Sequence, residues 1–468
     1  MDSISPPFGS PLKRFRAHLL GLPLLTWVLV GFLITFLAFF IVPVFFDPSQ
    51  VMQFSRYIRT MQPIGNDFRV TVSYASAWLH SGTLPPILYP PLTLVFFAPL
   101  ALVSPDIGYR VVTLLILACY VLATFVLPQS LSRSKGLSAF SMLIFVTGLV
   151  SYGLQFELER GQWNLIAFTL SLVAVWLFHA HPKRRWLAYL FFTVAVQLKL
   201  YPAIFVLALV DRWSDWKRNL VQFAGLGLVN IAALFIFGFG PIQSMLSSQS
   251  SSHASHSAIP FNLSISSFVL YILSMHWLPH KRIILWVQAN SWLPKLLLLG
   301  LFIACLIVVI WGALKRGREG FDPYVFMVCS IGALIIPSIS YDYKLAFLPA
   351  SVVLLEPAML SFRPGGNRIG LILLTLLFSI AYSCTLYPEF SRPEWLRYLQ
   401  PALLLVLLIT SLWSVLGPGT PSEPLPEGAE AETGGPSAPL APRAHTPRPF
   451  SLIRTWSEHQ RIAPRPSL

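Results

Sequence analysis

Residues Trp186 to Val210 read WLAYLFFTVAVQLKLYPAIFVLALV. About 20 apolar residues suffice to cross the hydrocarbon core of a bilayer once. Basic clusters stand on both sides of this block, Lys183-Arg-Arg185 before it and Arg212, Lys217 and Arg218 after it. Lys and Arg beside apolar spans favour the cytoplasmic side, so both ends of the block are expected inside. At a rise of ~1.5 Å per residue it is too short for two full crossings. Two half-helices can instead meet near Lys199-Leu-Tyr-Pro202, where Pro202 removes a backbone donor and crowds the turn before it. A broken helix at membrane depth needs protein or a water-filled cavity beside it. The stretch therefore predicts a polar hollow inside an apolar protein.

The whole chain agrees with a membrane setting. Of its 468 residues, 55% are apolar and 11% charged, where a soluble domain carries about a quarter charged residues. Mean hydropathy is +0.66. This excludes an ordinary soluble enzyme. The formal net charge of +14 would suggest nucleic acid in a soluble chain, but here the basic residues sit in short clusters between apolar blocks, so no nucleic-acid partner is expected. Cys119, Cys305, Cys329 and Cys384 fall singly in apolar blocks without metal-ligand spacing, which argues against a disulfide framework or a zinc site. No cleavable signal is read at the N-terminus; 19–46 is expected as a retained first span.

The expected architecture is an all-α polytopic bundle of about 11–13 transmembrane helices with re-entrant or broken elements. Clear spans are 19–46, 107–127, 137–154, 164–181, 219–240, 293–314, 323–339, 344–360, 368–388 and 397–417. Residues 1–18 are expected as a cytoplasmic N-terminus and 19–417 as the membrane domain. Long outside loops are expected at about 47–89 and 241–292. The path in which 90–104 only dips into the membrane is preferred, because it keeps Arg133, Lys135 and Lys183–Arg185 inside. From Pro418 the chain turns rich in Pro, Ala, Glu, Gly and Ser, and 418–468 is expected as a disordered cytoplasmic tail.

On this path the ill-fitting polar residues all fall toward one membrane face, the extracytoplasmic one: Asp67, Arg69, Glu157, Glu159, Arg160, Gln162, Asn164, Lys199, Tyr201, Asn262, Asp342 and Lys344. Ionisable groups at membrane depth are costly and usually functional. Each has an alternative. Asp67, with Asn66, could open a short interfacial helix as its cap, or accept a proton from an attacking hydroxyl. Lys199 could snorkel, but it lies ~13 residues from either basic cluster, and a phosphate or carboxylate partner fits that distance better. Asn164 could cap the following span, or, with Gln162, bond sugar hydroxyls. Ser340-Tyr-Asp-Tyr-Lys344 could be a plain turn or part of a site. His253 and His256 belong to a Ser-rich stretch. No phosphate-cradling loop for a nucleotide is present in a plausible context.

Several short motifs come in a telling order. They are Asp67-Phe-Arg-Val-Thr-Val-Ser-Tyr74, Leu88-Tyr-Pro-Pro91, Gly161-Gln-Trp-Asn164, Leu198-Lys-Leu-Tyr-Pro202, Asn262-Leu-Ser264 and Ser340-Tyr-Asp-Tyr-Lys344. In this order, over about residues 20–417, the chain resembles glycosyltransferase family 87. The resemblance implies a GT-C fold and a multi-pass enzyme of the plasma (inner) membrane, while the Lys and Arg bias places both termini on the cytoplasmic side. It implies inverting transfer of a hexose, mannose by family expectation, from a polyprenyl-phosphate sugar to a glycan or glycolipid acceptor of the cell envelope. Asp67 matches the acidic base of the first outside loop. Lys199, Arg160 and Lys344 are expected at the donor phosphate. Tyr74, Tyr89, Gln162, Asn164, Tyr201, Asn262, Asp342 and Tyr343 are expected around sugar or acceptor. Members often carry a His where this chain has Tyr343. With Asp67 as the only acidic residue at the matching place in that loop, no metal and no cofactor are expected. The alternatives are another lipid-linked glycan enzyme, a ligase or polymerase, and a transporter or flippase; the latter would be expected to show inverted repeats, and none is read.

Overall fold

The computed structural model describes residues 22–37, 64–82, 85–132, 138–256, 263–264, 292–315, 320–337, 340–360, 368–386 and 399–416. They all belong to one compact unit, Met1–Thr420. The tail expected from 418, and Asn262 with the side chains of His253 and His256, lie outside the described residues.

The described residues are helical, with no β-strand among them. In chain order, α1 is Leu24–Phe36, α2 Asn66–Ser81, α3 Leu92–Phe97 and α4 Pro105–Val121; then come α5 Ala139–Leu149, α6 Tyr152–Arg160, α7 Asn164–Ala180 and α8 Arg185–Leu198. The second half holds α9 Trp216–Leu234, α10 Phe239–His256, α11 Trp292–Lys315, α12 Pro323–Ile335, α13 Leu348–Leu360, α14 Arg368–Ser383 and α15 Leu399–Leu416. Local chemistry sets several starts. Ser104, Ser138 and Asp322 accept from the N–H groups of Ile107, Ser141 and Tyr324, and Pro105 and Pro323 occupy first positions where no N–H is needed.

Three described helices are long and apolar enough to cross a membrane unbroken: Pro105–Leu131, Trp216–Phe237 and Ile369–Leu386. Others are shorter or interrupted, and together they make an all-α polytopic membrane protein. Three expectations need correction. The span expected at 137–154 bends by 42° between α5 and α6, because Ser151 starts a new helix by accepting from Leu154 N–H at 3.4 Å. Glu157 to Arg160 therefore form the last turn of α6. Residues 241–256, expected as loop, continue α10. The span expected at 344–360 opens with a 3₁₀ turn, Asp342–Phe347, before α13.

Two elements are too short to cross a bilayer unbroken. Leu92–Leu102 is only 11 residues long, α3 followed by a 3₁₀ turn, about half a bilayer. The α8 helix rises beside α7 and ends at Leu198, and a 3₁₀ segment, Tyr201–Ala208, runs back along it. Arg185 at the start of α8 meets Asp211 just past that segment at 2.7 Å. Lys199 stands at the opposite end. The chain thus doubles back over residues 186–210.

Helix α12 is buried along its whole length, with α13, α15 and the 3₁₀ segment Tyr201–Ala208 against it. Phe168 of α7 stacks on Phe347 at 4.7 Å and meets Phe205 and Phe326 edge-on. Tyr201 stacks on the same Phe347 ring at 5.6 Å. By contrast, α9 has most of its surface exposed, as a lipid-facing helix would.

Candidate active site

The break after α8 supplies the first part of the site. Lys199 is extended, with φ −152° and ψ 143°, so the last carbonyls of α8 lose their helical partners. Side chains replace them. Thr93 of α3 donates to Gln197 O at 2.9 Å and Leu198 O at 3.3 Å, and Trp163 Nε1 donates to Leu198 O at 3.2 Å. This pins the break and leaves Lys199 turned inward. Its ammonium lies over the rings of Tyr89 and Trp163, at 4.0 and 4.3 Å, and donates to Gln162 Oε1 at 2.8 Å. Such a cation over aromatic faces is stabilised where water is scarce.

Two left-handed glycines supply the second part. Gly65 (φ 74°) precedes α2 and Gly161 (φ 62°) ends α6. A Cβ on Gly65 would meet the Tyr109 ring at 2.5 Å, and one on Gly161 would meet Phe68 Cβ at 2.7 Å. The two helix ends therefore approach closely, and Gly65 N–H donates to Glu159 O at 2.7 Å. Tyr109 ties the same turn by donating to Leu158 O at 2.8 Å. The contact brings Asp67, in the first turn of α2, against Arg160, in the last turn of α6. Arg160 Nη2 reaches Asp67 Oδ1 at 2.5 Å and Nε reaches Oδ2 at 3.1 Å. Gln162 Nε2 also donates to Oδ2. Asp67 does not cap its helix; Gly65 holds the cap position without a side-chain bond. A carboxylate in the first turn still gains from the helix dipole.

Nor is Asn164 a cap. It is the first residue of α7, and the cap comes from Glu157, whose Oε1 accepts from Leu165 N–H at 2.9 Å while Oε2 accepts from Asn164 Nδ2 at 3.1 Å. Glu157 is fully buried, and an anion is well suited to a helix N-terminus. Tyr201 closes this floor by donating to Asn164 O at 2.5 Å, and Lys344 lies 5.4 Å from the Tyr201 ring centre.

These residues surround one cavity of about 660 Å³. Of the expected site residues, Asp67, Tyr89, Arg160, Gln162, Asn164, Lys199, Tyr201, Tyr343 and Lys344 line it. Two do not. Tyr74 lies two turns further along α2, packed on the apolar core, because seven residues carry a helix ~10 Å along its axis. Asp342 is completely buried behind the lining. Sequence reasoning missed Gln249 of α10, Tyr341 and an apolar wall formed by Leu200, Ile204, Gly332, Ala333, Ile336 and Pro337. Spacing carried no signal for that wall, since apolar residues fill every span. Among the described residues no group of three or more His, Cys, Asp or Glu is arranged to hold a metal ion, and the four cysteines are buried thiols that form no disulfide.

Charged and apolar side chains thus line one cavity in a polytopic helical membrane protein. The chain matches the sequence model of glycosyltransferase family 87 over residues 88–340, more than half its length. It belongs to glycosyltransferase family 87, and it is a membrane glycosyltransferase acting on a sugar donor and an acceptor. The matched segment holds Tyr89, Arg160, Gln162, Asn164, Lys199 and Tyr201; Asp67 precedes it and Lys344 follows it. No curated protein matches the chain.

Proposed function

We propose that the protein transfers a hexose, mannose by family expectation, from a polyprenyl-phosphate donor to a hydroxyl of a glycan or glycolipid, on the extracytoplasmic side of the plasma (inner) membrane. The single observation that carries this reading is the mixed lining of the cavity, which joins Lys199, Lys344, Arg160 and Asp67 with Leu200, Ile204, Ala333 and Ile336. A sugar phosphate on a hydrocarbon tail has the same mixed character. Leu200 and Ile336 are exposed on the protein surface, which gives the tail a way out toward lipid.

In this mechanism Lys199 and Lys344 take the donor phosphate through charge-assisted contacts. An arriving phosphate competes with Asp67 for Arg160, which frees lone pairs on the carboxylate. The acceptor hydroxyl then attacks the anomeric carbon from the face opposite the phosphate. The carbon–oxygen bond to phosphate breaks, polyprenyl phosphate leaves, and Asp67 takes the hydroxyl proton. The anomeric configuration inverts. A general base contributes ~10² to 10⁴ in rate. No metal and no cofactor take part in these steps.

The test is Asp67→Asn in proteoliposomes supplied with radiolabelled polyprenyl-phosphate mannose. Transfer should fall by about that factor, while the variant still inserts and binds donor. Full activity in Asp67→Asn removes the mechanism. Turnover of pyrophosphate-linked glycans instead would assign the donor class differently.

A further inference from the structure

Gln162 is almost completely buried, and both ends of its amide are engaged. Nε2 donates to Asp67 Oδ2; Oε1 accepts from Lys199 Nζ at 2.8 Å and from Asn164 Nδ2 at 3.4 Å. An ammonium only donates, and a carboxylate only accepts. Lys199 therefore fixes which end of the amide is oxygen, and the NH₂ must face Asp67. Glu157 fixes the neighbouring amide in the same way, because its Oε2 takes Asn164 Nδ2 at 3.1 Å. The series Glu157, Asn164, Gln162 and Lys199 has one allowed direction of donors and acceptors, and it ends on Asp67.

The spacing matters as much as the polarity. Opposite charges in a poorly screened cavity attract strongly. Without an amide between them, Lys199 and Asp67 would be drawn into direct contact, and the carboxylate and the ammonium would neutralise each other. We propose that Gln162 is a positioning residue and not a sugar contact. It holds Asp67 and Lys199 one amide apart, so that the proton acceptor and the phosphate-binding cation stay on opposite sides of the reacting carbon. This assignment rests on the transfer reaction above and differs from the sugar-binding role expected from sequence.

The experiment uses the full-length protein with three changes: Gln162→Ala, Gln162→Glu, and Gln162→Glu combined with Asp67→Asn. Melting temperature is measured in detergent, and kcat and donor KM in proteoliposomes with polyprenyl-phosphate mannose. For Gln162→Ala, kcat should fall about 100-fold or more, with a smaller change in donor KM and no loss of melting temperature, since Lys199 closes onto Asp67. Gln162→Glu sets two carboxylates face to face and should lower the melting temperature. Adding Asp67→Asn should restore it, because the introduced amide can donate to the introduced carboxylate while Lys199 keeps its acceptor; transfer stays lost. A Gln162→Ala protein that keeps kcat and only raises donor KM, or that changes its preference among hexose donors, would overturn the assignment. Equal melting temperatures for Gln162→Glu and the double variant would overturn the polarity argument. If the unaltered protein transfers nothing from this donor, the donor reading falls, and the melting series still decides whether the amide is poled as described.

Discussion

Asp67 and Arg160 form a two-point pair, with Nη2 to Oδ1 at 2.5 Å and Nε to Oδ2 at 3.1 Å. Each sits where its helix dipole favours its charge, the acid in a first turn and the base in a last turn. The pair is part-exposed, at 18% and 24%, so its worth lies in geometry more than in stability. A forked guanidinium can hold both oxygens at once, and an ammonium cannot.

Arg160→Lys should therefore slow transfer with little effect on folding. The loss of one charge-assisted bond predicts about a tenfold fall in kcat/KM. Initial rates at varied donor concentration check this. A rate equal to that of the unaltered protein would show that the fork has no part in turnover.

Lys199→Met keeps most of the length of the side chain and removes its charge. If Lys199 grips the donor phosphate, donor KM should rise about 10- to 100-fold. Lys217→Met makes a control, since Lys217 stands exposed at the start of α9, its ammonium 5.7 Å from the Trp216 ring centre. Equal KM for the two variants would count against Lys199 as the phosphate ligand.

Gly161→Ala puts a side chain on a left-handed residue and against Phe68. The strain alone is about 1–3 kcal/mol. The melting temperature should drop by several degrees and transfer should fall with it, because Arg160 and Gln162 flank the glycine. Gly225→Ala in α9 meets nothing within 4 Å and should be neutral or slightly stabilising. Thermal unfolding of both proteins in detergent makes the comparison.

Asp211 gives an acid dependence at the other end of the molecule. Burial works against its carboxylate, but the hydrogen bond and charge of Arg185 prevail and hold the carboxyl below its ordinary value of 3.8. A depressed carboxyl adds stability that is complete above the unfolded value and is lost as pH falls through the folded one. Asp211 is 40% exposed, so about 0–1 kcal/mol is at stake. Asp211→Asn should lower the melting temperature slightly at pH 6, and the gap should close as pH falls below 3.8. A gap that persists at the lowest pH reached would show that packing, not charge, explains it.

Much of the fold was legible because the forces involved are local. The Lys199 to Pro202 break could be read from one proline and two flanking basic clusters. The bend at Ser151 and the helix at 239–256 were not, since apolar content stays high through the first and Ser, Gln and His form the second. Asn164 looked like a cap by residue type, yet the cap is Glu157, seven residues earlier and brought round by the Gly161 turn.

The amino-acid sequence alone determined the solvent of this protein, its helical class and the set of polar residues that a bilayer would tolerate only for a reason. Those follow from composition, run length and proline, which act over a few turns. Tertiary structure alone decided which of them meet. Asp67 finds Arg160 and Gln162 across 93 and 95 residues of chain, and Lys199 finds Gln162 across 37. Such pairings depend on glycines that let two helix ends touch and on carbonyls freed by a broken helix. No spacing rule records either, because the energy of a buried charge depends on its neighbours in space.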